Sequence, residues 1–188
     1  DSFTGALMPV FDNKLQGITE ENIQARVRGV LLMAYSNNYG HILLNTSNKS
    51  EAAVGYGTLY GDMNGSLSVL GDVYKTRVYK LAEFINKDKE IIPQNIISKP
   101  PSAELRPDQK DTDSLPDYAS LDTILHHYIE IKKGATEITN MGFDKSLVKR
   151  IISLVNKNEF KRYQAPPMLR ISTKGFGMGR RMPLVAKY

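Results

Sequence analysis

Cysteine is absent from the 188 residues, and so is tryptophan. Without cysteine this chain holds no disulfide framework, no thiolate-ligated zinc, no iron–sulfur cluster and no cysteine nucleophile. Histidine is nearly as scarce, with His41, His126 and His127 the complete set. They are too few and too badly spaced for a histidine-based metal triad, and the adjacent pair points in different directions on a helix. Long apolar runs are missing too. The longest, Val30, Leu31, Leu32, Met33 and Ala34, falls far short of the roughly 20 residues a membrane-crossing helix needs. Nothing at the start reads as a basic-then-apolar leader, and the missing initiator methionine is what a fragment would show, so a cytoplasmic setting is expected.

What is present is ordinary globular material, with 41% hydrophobic and 24% charged residues. The 25 basic and 20 acidic residues leave a net charge of +5, a mild bias toward anionic partners. That bias is concentrated at one end. Residues 161–188 carry Lys161, Arg162, Arg170, Lys174, Arg180, Arg181 and Lys187 and no carboxylate. Such a tail suits phosphates, a subunit contact or plain solvation, and the pattern alone does not choose among them.

Residues 19–38 read as a helix, capped by Thr19, with Glu20 and Glu21 in its first turn and a buried stripe of Ile23, Val27, Val30, Leu31 and Ala34. After Gly40, His41, Ile42, Leu43 and Leu44 read as a short buried strand of a parallel sheet. The polar cluster 45–51 follows, then a helix beginning near Ala52. Ligands of open α/β sheets bind where strand ends meet helix starts, because unpaired backbone N–H groups point there. Asp72 is expected to cap a helix with Tyr74, Val78, Leu81, Ala82 and Ile85 as its buried stripe. Residues 102–118 form a long polar loop of the kind that serves as a lid or linker. Two more helices carry Leu121, Ile124, Leu125, Tyr128 and Ile129, and then Leu147, Val148, Ile151, Ile152 and Val155.

No glycine-rich phosphate loop sits between a strand and a helix, and Gly175, Gly177 and Gly179 lack that setting. What remains is Thr46, Asn48, Lys49, Ser50 and Glu51 at a strand end, then Lys75, Ser102, Glu104, Lys161 and Arg162. Lysines and hydroxyls with a carboxylate match what a nucleotide phosphate and its magnesium require. From the residues alone, a phosphate-ligand enzyme and a generic α/β domain both fit.

Four blocks carry more. They are Thr-Glu-Glu-Asn-Ile-Gln-Ala-Arg-Val-Arg at 19–28, Asn-Lys-Ser-Glu-Ala-Ala-Val-Gly-Tyr-Gly-Thr-Leu-Tyr-Gly-Asp at 48–62, Pro-Pro-Ser-Ala-Glu-Leu-Arg-Pro-Asp-Gln at 100–109 and Lys-Arg-Tyr-Gln-Ala-Pro-Pro at 161–167. In order and spacing they resemble the synthetase domain of NAD synthetases, in wording closest to the glutamine-dependent branch. The resemblance implies a Rossmann-like α/β fold of the adenine nucleotide alpha-hydrolase kind, with residues 1–160 the carboxyl-terminal portion of that domain and 161–188 its basic tail. It implies ATP-dependent amidation of deamido-NAD through an adenylated carboxylate, with ammonia supplied by a glutaminase domain of the same polypeptide. An ammonia-dependent form is the nearest rival, and a basic nucleic-acid-binding module a remote one.

Position by position, the resemblance assigns Thr46, Lys75 and Ser102 to ATP, and Asn22, Arg26, Glu51, Tyr56, Leu59 and Lys161 to deamido-NAD. Glu51 also matches a magnesium ligand in some members. A homodimer or larger homo-oligomer built on long buried helices is implied as well. Asp62 and Glu104 receive no role. The family's Ser-Gly-Gly-x-Asp-Ser pyrophosphate loop occurs nowhere in these residues, so this chain alone is expected to form no NAD at an appreciable rate.

Overall fold

A computed structural model describes residues 2–12 and 14–184. Helix α1 (Ser2–Leu7) and a 3-10 turn (Met8–Phe11) lead into the long helix α2 (Ile18–Tyr39). Strand β1 (Leu44–Asn45), helix α3 (Lys49–Val54), strand β2 (Leu67–Ser68) and helix α4 (Lys75–Ile85) make the α/β unit. Helices α5 (Gln94–Ser98), α6 (Tyr118–Ile129), α7 (Ala135–Thr139), α8 (Lys145–Lys157) and α9 (Glu159–Arg162) complete the chain. β1 and β2 run parallel, pairing Leu44 with Leu67 and Asn45 with Ser68, and Ser68 also bridges to Met168. No helix among the described residues is long and apolar enough to cross a membrane.

The core lies between α3, α6, α7 and α8. Leu121, Ile124, Leu125 and Ile129 repeat at helical spacing on α6 and meet Val148, Ile151 and Val155 of α8, with Ala53 and Val54 of α3 and Ile138 of α7 closing the layer. Burial of each large aliphatic side chain contributes roughly 1.5–3 kcal/mol. The helix starts are well set. Asp117 accepts from Ser120 N–H at 2.9 Å and Asp144 from Leu147 N–H at 2.8 Å. Asn48 and Glu51 form a reciprocal capping box at the start of α3.

Several local expectations fail, the start of α3 among them, since it begins at Lys49 and not near Ala52. Helix α2 begins at Ile18 after Gly17, whose φ of 64° suits glycine, so Thr19 is not the cap. Its buried residues are Ala25 and Gly29, whereas Val30, Leu31 and Ala34 are exposed. The segment 58–64 approaches α2 so closely that only small residues fit between them, and the larger stripe meets nothing that covers it among the described residues. The strand begins at Leu44, not His41, and Ile42 and Leu44 are exposed because the described sheet ends there. No residue of α4 is buried, Leu81 and Ile85 being exposed, because only its start packs against α3 and α6. Asp72 does not cap α4. The buried Lys49 ammonium holds it at 2.9 Å, and it accepts from the N–H groups of Ile171 and Ser172.

Candidate functional site

Helix α2 places Asn22 and Arg26 one turn apart on the same face, where they border a cleft of about 580 Å³. Residues 55–62 form the opposite wall, with Tyr56 and Leu59 on the cleft, and α9 contributes Lys161. The walls are pinned together by polar contacts. Thr58 Oγ1 donates to Asn22 Oδ1 at 2.7 Å, and Arg26 Nε donates to the Leu59 carbonyl at 3.2 Å. That use of Asn22 Oδ1 leaves its amide donors for a ligand. Asp62 Oδ1 accepts from the Thr58 N–H at 2.5 Å and keeps the turn shut.

Lys161 donates to the carbonyls of Gly55 and Gly57, at 2.7 and 2.8 Å, and so retains one ammonium hydrogen for an anion. Burial lowers its pKa, against the opposing pull of Asp62. Gly55 ends α3 with φ 71°, and a Cβ there would collide with Asn158. The loop 103–109 closes one side of the cleft through Ala103, Leu105, Arg106 and Gln109, and the Leu105 carbonyl accepts from Gln24.

Next to this cleft, sharing Tyr56 with it, lies a charged cluster at the start of α3 and α4. Glu51 Oε1 faces Lys75 Nζ at 3.5 Å. Burial pushes the Glu51 carboxyl above its ordinary range, with Lys75 pulling the other way and Asp111 adding to the rise. Lys75 Nζ also lies 5.5 Å from the centre of the Tyr118 ring, and Tyr118 donates its phenol hydrogen to Asp111 Oδ2 at 2.7 Å. Burial, and then Asp111, push the phenols of Tyr56 and Tyr118 upward. The other Asp111 oxygen is buried without a partner among the described residues.

Five of the expected deamido-NAD residues, Asn22, Arg26, Tyr56, Leu59 and Lys161, therefore share one cleft, and the sixth, Glu51, pairs with Lys75 beside it. Thr46 and Ser102 neither line the cleft nor contact the Glu51–Lys75 pair. Thr46 is exposed between β1 and α3. Ser102 borders an open cavity of about 760 Å³ that shares Leu105, Arg106 and Gln109 with the cleft, and its hydroxyl accepts from Glu104 N–H at 3.0 Å. Glu104 is exposed and paired with Lys99, which holds its carboxyl below the usual range. Thr58, Arg106, Asp111 and Tyr118 were missed by sequence reasoning. Asp111 lies within the 102–118 loop and Tyr118 at its end, and only the tertiary approach of Asp111 to Tyr118 and Tyr56 marks them out. In the basic tail, Arg162 is buried against Glu159 and the carbonyls of Ala52 and Ala53. Lys187 lies outside the described residues.

A parallel pair of strands feeding helix starts that carry Glu51 and Lys75 makes this an α/β protein with a Rossmann-like parallel sheet. The NAD synthase family model matches residues 2–165, and the chain belongs to that family. It is 50% identical over 187 residues to a glutamine-dependent NAD(+) synthetase of Synechocystis, covering 100% of this chain and 34% of that protein. Identity to the same-named protein of Acinetobacter baylyi is 53% over 187 residues, covering 98% and 35%. Among solved structures, the glutamine-dependent NAD+ synthetase of Acinetobacter baumannii in complex with ADP matches with a TM-score of 0.51 at 45% identity, over 98% of this chain and 33% of that one. A glutamine-dependent NAD(+) synthetase of Cytophaga hutchinsonii, at a TM-score of 0.78 and 22% identity over 98% of this chain and 32% of that one, shares the fold. The chain spans about a third of the length of the curated relatives it matches.

Proposed function

We propose that this chain is the part of a glutamine-dependent NAD synthetase that holds deamido-NAD and meets ATP. The observation that carries the reading is the single cleft bordered by Asn22, Arg26, Tyr56, Leu59 and Lys161, adjoining the Glu51–Lys75 pair, in a chain of the NAD synthase family. In the reaction a nicotinate carboxylate oxygen attacks the α-phosphorus of ATP and pyrophosphate leaves. Ammonia then attacks the acyl carbon of the mixed anhydride and AMP departs with the bonding pair. A carboxylate is a poor electrophile until adenylation turns it into a mixed anhydride, so the protein's contribution is positioning and charge compensation.

Within that scheme Asn22 and Arg26 hold polar groups of deamido-NAD on α2, while Tyr56 and Leu59 form the wall against its ring system. Lys161, already fixed by Gly55 and Gly57, offers its remaining N–H to an anion. Lys75 neutralises phosphate charge, and Thr46 and Ser102 supply hydroxyls to ATP if their segments close on the bound nucleotide. Magnesium commonly takes one or two carboxylates and completes its shell with phosphates and water. Glu51 fits as such a carboxylate, and Asp111, which raises the Glu51 carboxyl from nearby, supports a second one beside it. Bound there, magnesium would shield the phosphate charge. Ammonia delivery from a glutaminase domain, a cytoplasmic setting and homodimerisation through the uncovered apolar face of α2 belong to the same proposal.

The test uses the complete protein. Lys75→Ala and Lys161→Ala are expected to lower NAD formation from deamido-NAD, ATP and glutamine sharply while the circular dichroism spectrum stays unchanged. Wild-type rates from either substitution overturn the reading. Full activity with ammonium chloride and none with glutamine would move the protein to the ammonia-dependent branch.

A further inference from the structure

Helix α4 begins without a cap of its own. Tyr74, at the N-cap, offers its side chain to no backbone donor, and the first turn contains no acidic residue. The first N–H groups of a helix have no partner within it and carry its partial positive charge. Here those donors are satisfied from elsewhere in the fold. Lys75 N–H donates to Ser50 Oγ at 2.9 Å, and Thr76 N–H donates to Asp122 Oδ2 at 2.9 Å. Ser50 donates its hydroxyl hydrogen to Asp122 Oδ1 at 2.5 Å, so one carboxylate ties α3, α4 and α6 together.

We propose that Ser50 and Asp122 are positioning residues that set Lys75 against Glu51. Ser50 and Glu51 are neighbours on α3. The first holds the backbone of Lys75 and the second meets its ammonium at 3.5 Å. Two adjacent residues thus fix both ends of a single lysine. A cap supplied locally at position 74 would stop fraying equally well, but it would leave α4 free to shift relative to α3. A cap supplied by α3 and α6 makes the place of Lys75 conditional on the place of Glu51. Ser50 and Asp122 are both buried, at 0% and 5% exposure, and among the described residues Asp122 is filled by the donors of Ser50 and Thr76 rather than by an ion pair. A buried carboxylate without a cation is costly unless its oxygens are filled by donors, and here each oxygen has one. The pair touches no part of the cleft that deamido-NAD is proposed to fill, so its effect on the reaction runs through Lys75.

The inference rests on the reading of Lys75 as a phosphate-binding residue, and a double-mutant cycle in the complete protein separates the two. Ser50→Ala is expected to raise the KM for ATP about tenfold, and to change it less than about twofold in a Lys75→Ala background, because the pair acts through that lysine. The KM for deamido-NAD stays near its wild-type value in Ser50→Ala. Asp122→Asn keeps the shape and one acceptor, so it provides the same cycle with a smaller effect, and serves if Ser50→Ala does not fold. Equal fold-changes in the wild-type and Lys75→Ala backgrounds would show a general loss of structure and overturn the proposal. So would an unchanged ATP KM in both Ser50→Ala and Asp122→Asn. An unchanged ATP KM in Lys75→Ala alone refutes the phosphate role of that lysine itself, and with it the reason for the pair.

Discussion

Lys161 donates to the carbonyl of Gly55 at 2.7 Å, joining α9 to the end of α3 across more than half the chain. The same ammonium holds Gly57 at 2.8 Å, so a residue matched to substrate binding also shapes the wall of the cleft.

Lys161→Met therefore has two expected consequences. Two half-buried carbonyls lose a charged donor, which costs about 1–3 kcal/mol of stability, read as a lower midpoint in urea. Binding of deamido-NAD weakens at the same time. A substitution that weakens binding with the midpoint unchanged would show that Gly55 and Gly57 do not depend on this lysine.

Lys49 is fully buried between Asp72 and Glu130, at 2.9 Å from each. It also donates to Ser172 Oγ at 2.7 Å and to the Lys174 carbonyl at 3.1 Å, and lies 4.8 Å from the centre of the Tyr74 ring. Lys49→Met leaves two carboxylates uncompensated in a dry site and should lower stability by about 3–5 kcal/mol in chemical denaturation. A loss under about 1 kcal/mol would mean that water reaches the site after the substitution.

Burial alone would raise the Asp72 carboxyl, but the N–H groups of Ser172 and Ile171 and the ammonium of Lys49 bring it below its ordinary value of 3.8. Glu130, by the same competition and the same lysine, lies below 4.5. Folded-state values below the unfolded ones mean that the unfolded chain takes up protons first as the pH drops. The stabilisation is complete above the unfolded values and is lost as the pH falls through the lower folded ones. Stability of the wild type should fall steeply below about pH 4 and that of Asp72→Asn less steeply over the same interval, measured by urea titration at successive pH values. Parallel curves would remove Asp72 from the acid transition.

Gly29 lies where α2 crosses the turn at 58–64. A Cβ there would meet Asn64 Nδ2 at 2.4 Å and the carbonyls of Tyr60 and Gly61 at 3.1 and 3.2 Å. The Asn64 amide can swing away but the carbonyls cannot. Gly29→Ala is expected to cost about 1–3 kcal/mol and to move Asn22 and Arg26 from the Leu59 wall, raising the KM for deamido-NAD more than that for ATP. Equal changes in both constants would count against this geometry.

The helices α6 and α8 were legible because their apolar residues repeat at 3.6-residue spacing and their caps are local, at Asp117 and Asp144. Helix α2 was legible as a helix but not by its buried face, since what selects Ala25 and Gly29 is a close neighbour 30 residues onward. Asp72 was misread for the same reason. A carboxylate ahead of a helix looks like a cap, and nothing local reveals that Lys49 and residues 171–172 claim it. At the site, the resemblance brought Asn22, Arg26, Tyr56, Leu59 and Lys161 to one cleft, which spacing alone would not have done, because they come from three separate segments. Asp111 and Tyr118 stayed hidden, since their meaning lies in a contact at 2.7 Å rather than in any pattern.

The complete enclosure of Lys49 makes it a built-in reporter. An amine-acylating reagent that labels surface lysines within minutes has no path to this one until residues 170–174 peel away from α3 and α6. Its labelling rate, followed by mass spectrometry of the peptide that contains it, would time that opening directly in the intact protein.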